Sequence, residues 1–253
     1  MLSTDSFAGM RALVTGGSKR LGRETALALG RAGTRLVIHY NSSAQPAEAL
    51  CEELRDLGSE GVPLQADLSD PEASEGLFDA SWDAFGGLDI LVNNASIFPS
   101  GRLNDMGLED LHQNLHVNAW APFVLTRAFW RRIRGTEGRG AVVNLLDTRL
   151  IGGDLAHSAY HFSKATLAEM TTLSALEFAP ELQVNGVAPG AVMPPEDFGD
   201  DYLDQLTVDL PLKRRGYPKD ISDATLYLLG ASFVTGQVIF VDGGRHIRLG
   251  GPT

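Results

Sequence analysis

The stretch RALVTGGSKRLGRETALALGRAG, residues 11–33, decides the fold. It opens as an apolar strand, breaks on the glycine-rich turn TGGSKRLGRE from Thr15 to Glu24, and continues with helical periodicity. Glycines at a strand-to-helix turn let backbone N–H groups approach a pyrophosphate, and the N-terminus of the following helix favours negative charge. Structural turns use glycine as well. The weight of this one comes from its place at the first strand-to-helix junction.

Six further strand-like runs follow: TRLVIHY, GVPLQADL, LDILVNNA, GAVVNLLD, LQVNGVAPG and GQVIFVDGG. Helical patterns such as PAEALCEELRDLG and KATLAEMTTLSALEFA separate them. Continuous apolar strands alternating with helices indicate a parallel sheet covered on both faces. Gly30, Gly33 and Gly58 fall near helix ends, where the left-handed conformation is cheap for glycine. No linker and no repeat interrupts the pattern, so one domain is expected over residues 1–253. The irregular stretch from Ala191 to Pro211 reads either as a flap over a ligand or as an ordinary surface excursion.

Composition narrows the functional classes. The chain has 253 residues, 43% of them hydrophobic, enough for one extended core. No apolar run reaches the length of a membrane span, about 18 residues. The N-terminal MLSTDSFAGM has neither a basic nor an apolar leader region, so a cytoplasmic protein is expected. Cys51 is the only cysteine, which excludes an internal disulfide and fits a reducing interior. A net charge of −11 argues against nonspecific binding to nucleic acid or anionic lipid. No metal site is expected.

Three places carry chemistry. After the second strand comes HYNSS, residues 39 to 43, with no acid to hold ribose hydroxyls. Lys19, His39, Asn41 and Ser42 would instead surround a 2′-phosphate, which points to NADP(H). The strand ending NLLD stops on Asp147, and AYHFSK follows with Tyr160 and Lys164 one helical turn apart. An ammonium beside a phenol stabilises the phenolate and brings a proton donor closer to neutral pH. In NAWAP, Pro122 has no N–H, so the carbonyl of Asn118 loses its helical partner. That carbonyl is free to hold a water leading to Lys164, unless the proline is only a tolerated kink.

TGGSKRLG, Asp67-Leu68, NNAS at 93 to 96, NAWAP, YHFSK and VAPG occur together and in order, and together they resemble the short-chain dehydrogenase/reductase family. Arg20 stands where the family's TGxxxGxG turn has its middle glycine, and would aim a guanidinium at the phosphates or at whatever lies beside them. Within the family the chain is similar to the pteridine reductases, through Lys19-Arg20, HYNSS, NNAS followed by Phe98, and Asp147 where a serine is usual. The resemblance implies an α/β, Rossmann-type doubly wound fold, with a seven-stranded parallel sheet and helices on both faces. It implies NADP(H), a small pterin or folate-like substrate, and a homotetramer built through the two long helices. Cofactor contacts would come from Gly16, Lys19, Arg20, Leu21 and Gly22 in the loop, and from His39, Tyr40, Asn41 and Ser42 after the second strand. Asp67 and Leu68 would contact adenine. Asn94, Ala95, Ser96, Tyr160, Lys164, Pro189 and Gly190 would follow the cofactor towards nicotinamide. Arg20, Ser96, Phe98, Asp147 and Tyr160 match positions that contact the pterin, and Asn118, Asp147, Tyr160 and Lys164 would be catalytic.

The acid at 147 has its own logic. A pterin carries N–H and NH₂ donors that satisfy a carboxylate, whereas a ketone presents only lone pairs. An ionised acid opposes the alkoxide formed in ketone reduction, and a serine hydroxyl donates to it. Phe98, just past a strand end, would stack a flat ring against nicotinamide, or serve as core or rim. The competing reading is an NADPH-dependent carbonyl reductase, such as a 3-oxoacyl or sugar reductase, in which Asp147 merely replaces serine. Intact Tyr160 and Lys164 count against a catalytically silent NADP-binding sensor.

Overall fold

In the computed structural model, residues 7–194, 199–208 and 210–249 are described. The seven expected strands all form: β1 (Arg11–Val14), β2 (Arg35–Tyr40), β3 (Gly61–Gln65), β4 (Ile90–Asn93), β5 (Gly140–Leu145), β6 (Leu182–Pro189) and β7 (Val238–Val241). They make one parallel sheet in the order β3-β2-β1-β4-β5-β6-β7. Pro63, which cannot donate to a ladder, sits on β3 at the edge of the sheet, where that loss is tolerated.

Side chains alternate across each strand, and the two cores follow that alternation. Ala12, Val14, Leu36, Ile38, Ile90, Val92 and Val143 enter one core with Leu27 and Leu29 of α1 (Arg20–Arg31), Leu50 and Leu54 of α2 (Ala44–Asp56), and later helix α8 (Pro218–Gly230). Leu13, Val37, Leu91 and Val142 point the other way. They pack against α3 (Pro71–Phe85), α5 (Ala121–Ile133) and the end of α6 (Ser158–Glu177) through Phe78, Phe129 and Ala175. Helices therefore cover both faces, the doubly wound arrangement expected from the strand and helix pattern.

Gly33 and Gly58 take the left-handed conformation, with φ of 82° and 80°. Gly30 corrects the expectation: it lies inside α1, and a Cβ there would come within 2.3 Å of Leu54 Cδ2. Gly30 does stand one residue before the end of α1, but close packing of α1 on α2, not a left-handed conformation, demands that glycine. Between α4 (Leu108–Leu115) and α5 the helix widens into one π-turn over His116–Trp120, where the Ala121 N–H bonds to the His116 carbonyl. Such π-turns recur at functional sites, and Asn118 sits in this one. Of the stretch 191–211, residues 195–198 and 209 lie outside the described residues, and helix α7 (Asp200–Thr207) occupies much of the rest. A final short helix, α9 (Arg245–Leu249), follows β7. Among the described residues no helix is long and apolar enough to cross a membrane.

Candidate active site

Because the strands are parallel, their carboxyl ends meet along one edge, and strand order reverses between β1 and β4. Ligands of such sheets bind in the crevice at that reversal. A cavity of about 350 Å³ lies there, within the usual range for small-molecule sites. Its lining includes Gly16, Lys19, Arg20, Leu21, Asn94, Ala95, Ser96, Phe98, Asp147, Tyr160, Lys164, Pro189 and Gly190. Residues far apart in the chain and singled out above are thus brought to one place.

The glycine turn is shaped by its neighbours. A Cβ on Gly22 would meet the Gly16 carbonyl oxygen at 2.3 Å, and Asn94 Nδ2 donates to the carbonyls of Thr15 and Gly16 at 2.9 and 3.0 Å. Thr15 Oγ1 in turn accepts from the N–H groups of Asn94 and Ala95. Helix α1 begins with no side-chain cap and no acid in its first turn, so its N-terminal dipole has no protein anion to complement it. Arg20 keeps the conformation of the glycine it replaces, with φ of 53°, at a cost of about 1–2 kcal/mol for an L-residue. Its guanidinium donates to the Pro194 carbonyl at 2.5 Å, tying the turn to the segment after β6.

The second strand's end departs from expectation. The His39 ring is buried and fully engaged: Nδ1 accepts from the Gly16 N–H at 3.0 Å and Nε2 reaches the Ala66 carbonyl at 3.1 Å. Burial holds its pKa below the ordinary value. A neutral ring with both nitrogens used is a brace for the glycine turn, not a phosphate ligand. Tyr40 packs against the core. Asn41 and Ser42 remain exposed ahead of α2, as does Asp67, whose Oδ1 accepts from the N–H and hydroxyl of Ser69, while Leu68 is buried.

At the other end, Tyr160 is buried and its hydroxyl donates to Asp147 Oδ2 at 2.9 Å. Burial first, and then the charge and hydrogen bond of Asp147, push the phenol well above its ordinary pKa. The expected lowering by Lys164 is therefore overruled. The Lys164 ammonium lies 5.7 Å from the ring centre and donates to the Leu145 carbonyl at 2.7 Å. Its own pKa falls to about 8, because burial outweighs the attraction of Asp147.

Asp147 is itself held. Its Oδ1 accepts the Arg149 N–H at 2.7 Å in an Asx-type turn, and its Oδ2 accepts from Arg149 Nη1 at 3.0 Å. Arg149 Nε lies 2.8 Å from Asp154 Oδ2, which also meets His157 Nδ1 at 3.0 Å. His157 stacks on Phe98 with ring centres 3.9 Å apart, and Phe98 meets Tyr160 edge-on at 4.6 Å. The expected open platform on Phe98 is thus half filled from within. The Arg149 guanidinium also lies over the Phe98 ring, 5.0 Å from its centre.

Asn118 is a strut by its side chain. It accepts from the Ile97 N–H at 2.8 Å and the Ser96 hydroxyl at 3.1 Å, and donates to the Ile97 carbonyl and to Ser163, each at 3.0 Å. It joins the loop after β4 to the residue beside Lys164. Sequence reasoning missed Arg149 and Arg245, which also line the cavity, as do Met193, Leu203 and Leu206 of the stretch 191–211 that reads as a flap or a surface excursion. Only Arg149 carried a local signal, as the residue two positions after a turn-forming aspartate.

A family model described as Enoyl-(Acyl carrier protein) reductase matches residues 17–246. Versicolorin reductase of Emericella nidulans is 31% identical, over 96% of this chain and 99% of its own. The 3-oxoacyl-[acyl-carrier-protein] reductase of Synechocystis is 31% identical over 92% of this chain and 95% of its own. Among solved structures, FolM alternative dihydrofolate reductase 1 from Brucella canis, complexed with NADP, superimposes with a TM-score of 0.86. It is 30% identical, covering 94% of each chain.

Proposed function

The chain belongs to the short-chain dehydrogenase/reductase family, and on that premise we propose that it reduces a C=N bond of a dihydropterin or dihydrofolate with NADPH. One observation carries the reading: a carboxylate, Asp147, takes the proton donor's hydroxyl at 2.9 Å, where a ketone reductase needs a donor of its own. The likeness to the alternative dihydrofolate reductase supports it.

The residues fit the cofactor. The uncapped start of α1 and the glycine turn would hold the pyrophosphate. Lys19, whose side chain has no partner among the described residues, would meet the 2′-phosphate with Asn41 and Ser42, in a segment without an acid. Asp67 and Leu68 would meet adenine, and Pro189 and Gly190 the nicotinamide end. NADPH bound there supplies the hydride. The protein's part is the proton. It passes from Tyr160 Oη to Asp147 Oδ2 and on to the substrate nitrogen, while the Lys164 ammonium stands by the phenolate left behind. The Asn118 carbonyl, with a water, would refill Lys164. A homotetramer through α5 and α6 belongs to the same reading, and the exposed Leu173 and Leu176 of α6 are apolar surface of the kind that subunits bury.

The carbonyl-reductase reading has one observation in its favour. Arg149 pairs with Asp147 at 3.0 Å and offsets the charge that would oppose an alkoxide. Oxidation of NADPH by wild-type protein with dihydrobiopterin, dihydrofolate and simple ketones separates the two. Turnover of ketones alone would reject the pterin assignment.

Cofactor choice is tested by calorimetry. NADPH should bind more tightly than NADH, and Lys19→Ala should weaken NADPH alone, by roughly the 1.5–3 kcal/mol of a charged hydrogen bond. Equal affinities for the two cofactors would remove the 2′-phosphate site. The pH profile tests Lys164. Its ammonium is present below a pKa of about 8 and lost above it, so kcat/KM should fall as pH rises through that value. Lys164→Arg, which stays charged, should move the alkaline limb upward; an unmoved limb would assign it to another group.

A further inference from the structure

The cavity is basic although the chain is acidic. Among the described residues, Lys19, Arg20, Arg149, Lys164 and Arg245 line it, against the single carboxylate of Asp147. Arg149 is paired twice, with Asp147 and Asp154, and Lys164 is committed to the Leu145 carbonyl. Lys19 and Arg20 belong to the glycine turn after β1. Arg245 is different: it follows β7, and among the described residues its guanidinium has neither an ion pair nor a hydrogen bond.

The strand that precedes Arg245 stands apart from the one that precedes the glycine turn. From β1 to β7 the sheet order counts four neighbouring steps, and at about 4.8 Å each that is roughly 19 Å. The base of α9 lies at the proton-transfer end instead. Asp242 accepts the Thr148 hydroxyl at 2.5 Å, the Gly244 N–H at 2.9 Å and the His246 N–H at 2.8 Å, and meets the His246 ring as well. Thr148 adjoins Asp147, and the space for a Cβ on Gly190 is filled by Asp242. The backbone that carries Arg245 is therefore held beside the place where substrate must lie, with the Arg245 N–H donating to the Asp242 carbonyl at 3.3 Å.

Val192, Met193, Leu203 and Leu206 give the same cavity apolar lining. Asp201 and Asp204 of α7 are exposed and do not line the cavity. A guanidinium without a protein partner in a partly apolar cavity gains from an anionic partner brought in from outside.

We infer that Arg245 anchors an anionic group on the substrate, a carboxylate or phosphate carried at a distance from the bond that is reduced. The inference rests on the cleft being a reductase site, and it deepens that reading by naming the substrate's charge. Two sources share the chemistry: the carboxylates of a folate's glutamate, and the phosphates of a coenzyme A or phosphopantetheine thioester.

The test compares matched pairs in wild type, Arg245→Met and Arg245→Lys with NADPH saturating. One pair is dihydrofolate and dihydrobiopterin; the other is acetoacetyl-coenzyme A and ethyl acetoacetate. In whichever pair wild type turns over, Arg245→Met should lower the charged-to-neutral ratio of kcat/KM at least about tenfold, the loss of one charged contact. Arg245→Lys should restore part of it. A ratio unchanged in Arg245→Met overturns the inference, as does a wild type that reduces neither charged compound. Turnover of the thioester pair alone, with the ratio falling as expected, would reject the pterin reading and leave the anion anchor standing.

Discussion

Replacing Tyr160 with phenylalanine is expected to cut kcat by roughly 10²–10⁴-fold, the usual contribution of a positioned general acid. The phenol is the hydroxyl that donates to Asp147, at 2.9 Å, and it is buried, so bulk water does not readily substitute for it. The fold should tolerate the change. Asp147 keeps both contacts from Arg149, at 2.7 and 3.0 Å, so no carboxylate is left unpaired, and the lost hydroxyl bond to that carboxylate costs about 1.5–3 kcal/mol. Single-turnover rates and NADPH affinity, measured on the same preparation, check the expectation. Cofactor binding should persist while the chemical step slows; a variant that retained near-full turnover would rule out the relay.

Asp147→Ser should change what the enzyme prefers. Serine removes the acceptor of a pterin's N–H groups and releases the Tyr160 hydroxyl to donate directly to a carbonyl oxygen. Arg149 would keep Asp154, 2.8 Å away, so the guanidinium is not stranded. Losing a charged hydrogen bond costs about 1.5–3 kcal/mol, and at 1.36 kcal/mol per decade the dihydropterin-to-ketone ratio of kcat/KM should fall by roughly one to two decades. An unmoved ratio in the variant would mean that Asp147 does not select the substrate. The carbonyl-reductase reading would then lead.

Much of this site was legible in the chain because its parts lie at strand ends. Asp147, Asn94 and Pro189 each close a run of strand periodicity, and Tyr160 and Lys164 are a helical turn apart. What those residues touch was less legible. His39 sits at the end of β2, a position that in sequence alone looks like a phosphate contact. Its ring turns inward because Gly16 and Ala66, from two neighbouring strands' ends, offer it a donor and an acceptor. Phe98 reads as a free aromatic at a loop, yet His157, from the start of α6, covers one of its faces. The acidity of Tyr160 was misjudged for the same reason. The helical spacing of Lys164 is local, whereas the approach of Asp147 and the burial that raise the phenol depend on α6 packing against the end of β5.

By itself, then, the order of residues determined the alternation of strand and helix, the seven strands and the positions where chemistry-bearing side chains emerge. Periods of two and of 3.6 residues are set by backbone geometry, and each is written within a dozen neighbouring positions. Tertiary structure alone decided which of those side chains are spent as struts and which face the cavity. His39, Asn94 and Asn118 are braces, while Arg245 stands without a protein partner among the described residues. Hydrogen bonds and ion pairs act only within a few ångströms, and the chain brings such partners together across more than a hundred residues only once the sheet has closed.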